Sequence, residues 1–200
     1  YKEDSFTAYD SNYCPISLIT TSENSKHLIG EINDFNYPLV RKELIAKKIR
    51  KVDTMIITKT PYNIDALTEI AKDFFIQKIA VVTDDWALCD EIEVITKIDV
   101  TQIFDNINYS IDSLAVYPYS YDNIRLGTAV VINKKTILYP LIFDKSNSEI
   151  LNTLCGGADI AVTNRYNKFL DCMVYLVCDN DENIQNVINL SKNGNFEISL

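Results

Sequence analysis

Histidine is almost absent from this chain, His27 being the one imidazole in 200 residues. Histidine-based zinc chemistry and Ser-His or Cys-His nucleophilic catalysis each need an imidazole held beside other specific groups, so all three are close to excluded. His27 lies in the short strand Lys26-His27-Leu28-Ile29 and reads as a surface or core residue of it. Glycine is scarce as well, with 5 residues. Gly156-Gly157 follows a helix and precedes a strand, the wrong order for a nucleotide or dinucleotide loop. The 5 cysteines (Cys14, Cys89, Cys155, Cys172, Cys178) are odd in number and hold no C-x-x-C pair, which argues against a disulfide framework or a zinc ribbon. They read as buried free thiols, with Cys172 and Cys178 on one face of a strand.

Positive charge is in short supply too. Lys and Arg total 19 against 28 Asp and Glu, a formal charge of −9, and such a surface repels phosphate backbones and anionic membrane faces. No strong nucleic-acid binding is expected. No run approaches the roughly 18 apolar residues of a membrane span, and no charged-then-apolar leader is present. The segment reads as soluble and not itself inserted in a membrane. Its start at Tyr1 without Met suggests a piece cut from a longer polypeptide or a processed product. With 47% hydrophobic residues and no repeat, linker or low-complexity tract, residues 1–200 read as one globular domain.

The pattern predicts three opening strands, Ser5 to Tyr9, Ile16 to Thr21 and Lys26 to Ile32, then an amphipathic helix from Pro38 to Arg50 that holds the only basic patch. A buried strand Val52 to Thr58, a helix capped by Asn63 and running through Phe74 and Phe75, and a strand Lys78 to Thr83 imply a right-handed crossover. Strands are predicted at Glu91 to Val100, Ile111 to Tyr119, Thr128 to Asn133 and Thr136 to Tyr139, the last two joined at Asn133-Lys134-Lys135. Ser146 and Glu149 form a capping box for a helix ending at Gly156-Gly157. Strands Asp159 to Thr163 and Cys172 to Cys178, a helix Asp181 to Lys192 and a strand Asn195 to Leu200 complete an α/β sandwich with mixed sheets.

Other motifs carry little chemistry. Asp179-Asn180-Asp181-Glu182-Asn183 mimics the start of a calcium loop, but Ile184 stands where the loop needs glycine and Leu190 where it needs glutamate. It reads as an acidic cap of the next helix. Asp84-Asp85 and Asp90-Glu91 flank Trp86 as an acidic surface turn or a weak cation site. Tyr117, Tyr119 and Tyr121 form an aromatic row suited to packing or a protein contact.

The order of elements resembles the C-terminal metallo-β-lactamase-like domain of ComEC-type DNA-uptake (competence) proteins across nearly the whole chain. Phe6-Thr-Ala-Tyr-Asp10 with Ile16 to Ile19 looks like that family's opening. Lys48-Ile-Arg-Lys-Val-Asp-Thr-Met-Ile-Ile-Thr58 is similar to the stretch before its metal motif, and Leu154-Cys-Gly-Gly-Ala-Asp-Ile160 and the closing strand match in kind and spacing. The resemblance implies a four-layer αββα sandwich with mixed β-sheets. The functional motifs differ. Where the family has Thr-His-Pro-His-Ala-Asp-His, this chain has Thr58-Lys59-Thr60-Pro61-Tyr62-Asn63-Ile64. The family's bridging aspartate falls at Pro140-Leu141, its later His-His pair at Asn164-Arg165, and its glycine-flanked aspartate at Gly30. A two-metal hydrolase needs those carboxylates and imidazoles.

The resemblance therefore implies the fold without the activity: an inactive structural or interaction module of a ComEC-like membrane protein, on an outer membrane face. No metal or other cofactor is expected. A protein partner or other domains of the parent are. The vestigial pocket positions are Lys59, Pro61, Asn63, Ile64, Leu141, Asn164 and Arg165. The competing expectation is an active hydrolase, such as a nuclease, with a relocated carboxylate site drawn from Asp10, Asp65, Asp144 or Asp159. A third is a small ligand or peptide held at a rim of Lys59, Tyr62 and Arg165.

Overall fold

Side chains that alternate between two faces mark the strands. In the third strand Leu28 and Ile29 are both fully buried, yet they belong to different clusters on opposite faces of one sheet. A strand buried on both faces needs a layer on each side. The computed structural model, which describes residues 3–11, 14–178 and 184–200, supplies both.

The first sheet is built from β1 (Ser5–Ala8), β2 (Ile16–Thr20), β3 (Lys26–Gly30), β4 (Lys51–Ile57), β5 (Phe75–Val82) and β6 (Val100–Ile103). The second has β7 (Tyr109–Ile111), β8 (Leu114–Tyr121), β9 (Ile124–Ile132), β10 (Lys135–Pro140), β11 (Ala158–Thr163), β12 (Cys172–Val177) and β13 (Val187–Asn189), and the C-terminal β14 (Phe196–Ser199) returns to flank β1. Helices α1 (Tyr37–Ala46), α2 (Asp65–Asp73) and α3 (Trp86–Thr96) cover the first sheet through a cluster that includes Val40, Leu44, Leu67, Ile70 and Ile92. Helix α4 (Lys145–Cys155) covers the second through Leu151, and a one-turn α5 (Leu190–Asn193) follows β13. Phe6, Ile29, Ile56, Val130, Ile137 and Leu176 fill the space between the sheets. This is the four-layer αββα sandwich with mixed sheets.

The two sheets share one pairing pattern. From β14 to β3 and from β7 to β10 the pairings are antiparallel; from β3 to β6 and from β10 to β13 they are parallel. In each sheet the first parallel pair therefore ends at the same edge of the sandwich, β3 and β4 on one side and β10 and β11 on the other. Crevices outside the carboxyl ends of parallel strands are where open α/β sheets place their sites.

Several elements differ from expectation. Glu91 to Val100, expected as a strand, is mostly α3: Asp85 caps it by accepting from the Leu88 N–H at 3.1 Å, and Lys97 ends it with φ 59°. Glu91, Ile92, Glu93 and Val94 do alternate, but joining parallel β5 to β6 requires a crossover, and the helix supplies it. Phe75, expected on a helix face, opens β5 and is 65% exposed. Ile111 to Tyr119 is a hairpin turning at Asp112-Ser113 rather than one strand. The α2 helix starts at Asp65, where Asn63 Oδ1 accepts from the Asp65 N–H at 3.2 Å; Ile64 occupies the cap position.

The cap of α4 is Asp144, which accepts from the Asn147 N–H at 3.0 Å, so the Ser146 and Glu149 box is not formed; Glu149 faces Lys145 instead. Of the expected helix Asp181 to Lys192, residues 181–183 and the calcium-like run 179–183 lie outside the described residues. Val187 to Asn189 instead pairs with β12, satisfying backbone groups on that edge. Cys178 lies between the sheets whereas Cys172 packs toward α4, so the two thiols do not share a face. The basic helix ends at Ala46; Arg41 bonds Asp73 at 2.6 Å and Lys47 bonds Glu197 at 2.8 Å, which ties both cations to carboxylates. Tyr117 and Tyr119 pack toward α4, and Tyr121 is 55% exposed. Among the described residues no helix is long and apolar enough to cross a membrane.

Candidate functional site

Gly30 sets the geometry of the strand edge. Its φ is +136°, and a Cβ there would stand 2.1 Å from the Pro15 carbonyl oxygen, so only glycine lets β3 pass this close to Pro15. The next residue is thereby locked, with the Glu31 N–H donating to the Pro15 carbonyl at 2.8 Å. Glu31 leaves β3, Lys59 leaves β4, Leu141 leaves β10 and Asn164 leaves β11, and these four residues converge on one small cleft of about 90 Å³ together with Pro15, Pro140 and Phe143. A wider cleft of about 360 Å³ shares Glu31 and Lys59 and continues over Asn33, Thr60, Pro61 and Tyr62.

Lys59 Nζ lies 3.4 Å from Glu31 Oε2, with side-chain exposures of 55% and 20%. Burial pushes the Glu31 carboxyl above the usual carboxylate range, and the Lys59 ammonium pulls in the other direction. Asn164 Oδ1 is buried without a hydrogen-bond partner. Asn33 Nδ2 donates to Cys14 Sγ at 3.0 Å. Burial raises the Cys14 thiol and pushes Cys178 up to about 12, so neither is an activated thiolate.

Beside this edge, Arg125, at the start of β9, joins the three loops that follow β4, β5 and β6. Its guanidinium pairs with both Asp105 oxygens at 2.8 and 3.0 Å, donates to the Val82 carbonyl at 2.9 Å and Thr60 Oγ1 at 3.3 Å, and reaches Asp84 Oδ2 at 3.4 Å. The side chain is 18% exposed. It holds the loop that carries Lys59 against the ends of β5, β6 and β9.

Of the residues singled out by sequence, Lys59, Pro61, Leu141 and Asn164 are brought together. Arg165 sits at the rim, its guanidinium carbon 4.3 Å from the centre of the Phe143 ring. Asn63 turns away to Asp34 at 3.3 Å, and Ile64 packs into the core beneath the helices, so neither lines a cleft. Glu31, Asn33, Thr60, Phe143 and Arg125 were missed. Glu31 follows directly on Gly30, and its place at the edge comes from the passage of Gly30 against Pro15, which no local pattern in the sequence marks.

The relocated carboxylates do not assemble. Asp10 accompanies Asn195 through its backbone N–H, Asp144 caps α4, Asp159 binds Lys135 and the Thr136 N–H, and Asp65 opens α2. Among the described residues no group of three or more His, Cys, Asp or Glu side chains is placed to hold a metal ion.

No family model and no curated protein matches the sequence. Solved structures do match in fold. The metallo-β-lactamase fold protein YhfI from Bacillus subtilis superimposes with a TM-score of 0.61 at 10% identity, over 80% of this chain and 70% of that one. A diphosphatase of the PhnP family gives 0.56 at 9% identity, over 98% and 99%. The long form of RNase Z from yeast gives 0.51 at 11% identity, over 86% of this chain and 33% of its own. The chain has the metallo-β-lactamase fold.

The residues at the strand edge do not fit the metal centre expected from the resembled family. Among the described residues that line the two clefts the one carboxylate is Glu31, and it faces the Lys59 ammonium. A site for divalent metals gathers several oxygen or imidazole donors, and the lining of these clefts brings no such set together.

Proposed function

We propose that this chain is a catalytically inactive metallo-β-lactamase-fold domain of a ComEC-like DNA-uptake membrane protein, serving as a structural or interaction module on an outer membrane face. The observation that carries the inactive reading is the Glu31–Lys59 ion pair, which occupies the strand edge where donors for two metals would have to converge. The ComEC assignment is supported by the sequence phrases that lead up to that edge, from Lys48 to Thr58 and from Leu154 to Ile160. The net charge of −9 supports a role other than holding DNA.

A hydrolytic role has one support, the fold shared with a diphosphatase and an RNase. The test is to incubate purified protein with single- and double-stranded DNA and with a chromogenic phosphodiester, adding Zn²⁺, Mn²⁺ or Mg²⁺ in turn. No metal-dependent cleavage is expected. Cleavage that persists through purification and vanishes on chelation overturns the inactive reading.

A further inference from the structure

Helix α3 is apolar along most of its length, with Trp86, Ala87, Leu88, Cys89, Ile92, Val94 and Ile95, yet only Cys89 and Ile92 are buried. Trp86 is 67%, Val94 75% and Ile95 45% exposed. Residues four apart share a helix face, so Trp86, Asp90 and Val94 form one row and Ala87, Glu91 and Ile95 the next. Apolar side chains and carboxylates are interleaved along one outward surface. Phe104, directly after β6, is 43% exposed, and Ile103 pairs with Val82 at the end of β5 from which the chain runs into α3.

Along the helix itself the charge has one sign, and a lysine, Lys97, stands only at its C-cap. From Asp84 to Thr96 the chain carries Asp84, Asp85, Asp90, Glu91 and Glu93 and no lysine or arginine. The nearest cation at that end, Arg125, is committed to Asp105 and the Val82 carbonyl. The other helices do not look like this: α1 presents Arg41 against Asp73, and α4 presents Lys145 beside Glu149. A solvent-facing helix surface that retains exposed Trp, Val and Ile and lacks counter-charge is unfinished without a partner.

We propose that the outward face of α3, extended by Phe104, docks a basic amphipathic helix of a partner protein, whose apolar side chains cover Trp86, Val94 and Ile95 while its lysines or arginines meet Asp90, Glu91 and Asp84. A second copy of this chain would bring carboxylates against carboxylates. The proposal rests on the reading of the domain as an interaction module and names the chemistry of its partner.

Trp86 is the only tryptophan, so its fluorescence reports this face alone. The protein is titrated with two synthetic helical peptides that share a leucine face, one carrying lysines on its polar face and the other glutamates. The lysine peptide is expected to shift Trp86 emission to the blue, saturably, and to shield it from acrylamide; the glutamate peptide is not. Replacing Asp90→Lys with Glu91→Lys is expected to weaken the lysine peptide about tenfold through loss of complementary rim charge. Glu23→Lys with Glu149→Lys, which changes net charge equally on distant surfaces, leaves binding in place. Equal weakening by both pairs, binding without a Trp86 shift, or a concentration-dependent shift of the protein alone each overturns the proposal. Those outcomes stand apart from the cleavage test: a silent Trp86 in an inert protein removes the docking face only, and metal-dependent cleavage with an intact Trp86 response removes the inactive reading only.

Discussion

Lys59 Nζ lies 3.4 Å from Glu31 Oε2 at the carboxyl ends of two neighbouring parallel strands, so an ion pair stands at the edge from which this fold would present a site. Glu31 is held there by the close passage of Gly30 against Pro15, and Lys59 by the loop that Arg125 fastens through Thr60. The backbone on both sides of the pair is thus held, while the Lys59 side chain itself is half exposed.

The ionisation of Glu31 opposes folding. Because its carboxyl is raised in the folded state, the unfolded chain loses this proton first as pH rises, and each unit of displacement costs about 1.4 kcal/mol above both values. The penalty is present at neutral pH and is relieved as pH falls through the raised value. Glu31→Gln is therefore expected to leave stability unchanged or increase it near pH 7, with the difference vanishing below about pH 4, where the unfolded carboxyl is also protonated. Urea unfolding at several pH values checks this. A loss of stability near neutrality would mean that the pair with Lys59 outweighs the burial of Glu31.

Arg125 and Asp105 form a largely buried, two-bond pair, with exposures of 18% and 17%. Arg125→Met leaves Asp105 without its cation and the Val82 carbonyl with only the longer bond from Thr60 Oγ1 at 3.5 Å, and is expected to cost about 3–5 kcal/mol. Arg125→Lys recovers little, since an ammonium cannot reproduce the planar fork. Adding Asp105→Leu to Arg125→Met should restore part of the loss, as the unpaired charge is then gone. Chemical denaturation of the three variants measures the coupling.

His27 is fully buried on the inter-sheet face, and neither ring nitrogen has a hydrogen-bond partner. Burial lowers its protonation, against the opposing pull of Asp112, 4.0 Å from Nδ1, and of Asp53. A group lowered in this way contributes stability that is complete above its unfolded value of about 6.5 and is lost as pH falls below it. His27→Leu should thus flatten the stability profile between about pH 6.5 and 5 and remove two unsatisfied polar atoms at no loss near pH 7. Parallel profiles for the two proteins would show that protonation occurs elsewhere.

Tyr139 and Ser17 tie the two sheets together, hydroxyl to hydroxyl, in a fully buried contact. Tyr139→Phe strands the Ser17 hydroxyl with only the Ile29 carbonyl at 3.5 Å and is expected to cost about 1–2 kcal/mol. Combined with Ser17→Ala, the total should be smaller than the sum of the two single losses, which thermal unfolding resolves.

The parts of this fold that were legible in the sequence are those with strong local patterns. Ile16 to Thr20 and Val52 to Ile57 are runs of apolar and β-branched residues that fit no other element, and Asn133-Lys134 is a turn whose two residues both take positive φ. What escaped was set by neighbours distant in the chain. The alternation of Glu91 to Val94 suits a strand until the parallel β5 and β6 demand a crossover. Val187 to Asn189 has helical spacing until the open edge of β12 accepts it as a strand. At the site, the strand-end positions Lys59, Leu141 and Asn164 could be placed from the phrases around them, because each follows a recognisable strand. Glu31 and Arg125 could not: one owes its position to a glycine passing Pro15, the other to partners at residues 60, 82, 84 and 105.

The central claim is that this strand edge carries a protein ion pair in place of a metal centre. The direct measurement is the metal content of protein produced and purified without an affinity metal, read by plasma mass spectrometry for zinc, manganese and iron and repeated after equilibration with each ion and desalting. No stoichiometric metal is expected in either state. One or two tightly held ions per chain, retained through desalting and lost when Glu31→Gln is introduced, would contradict it.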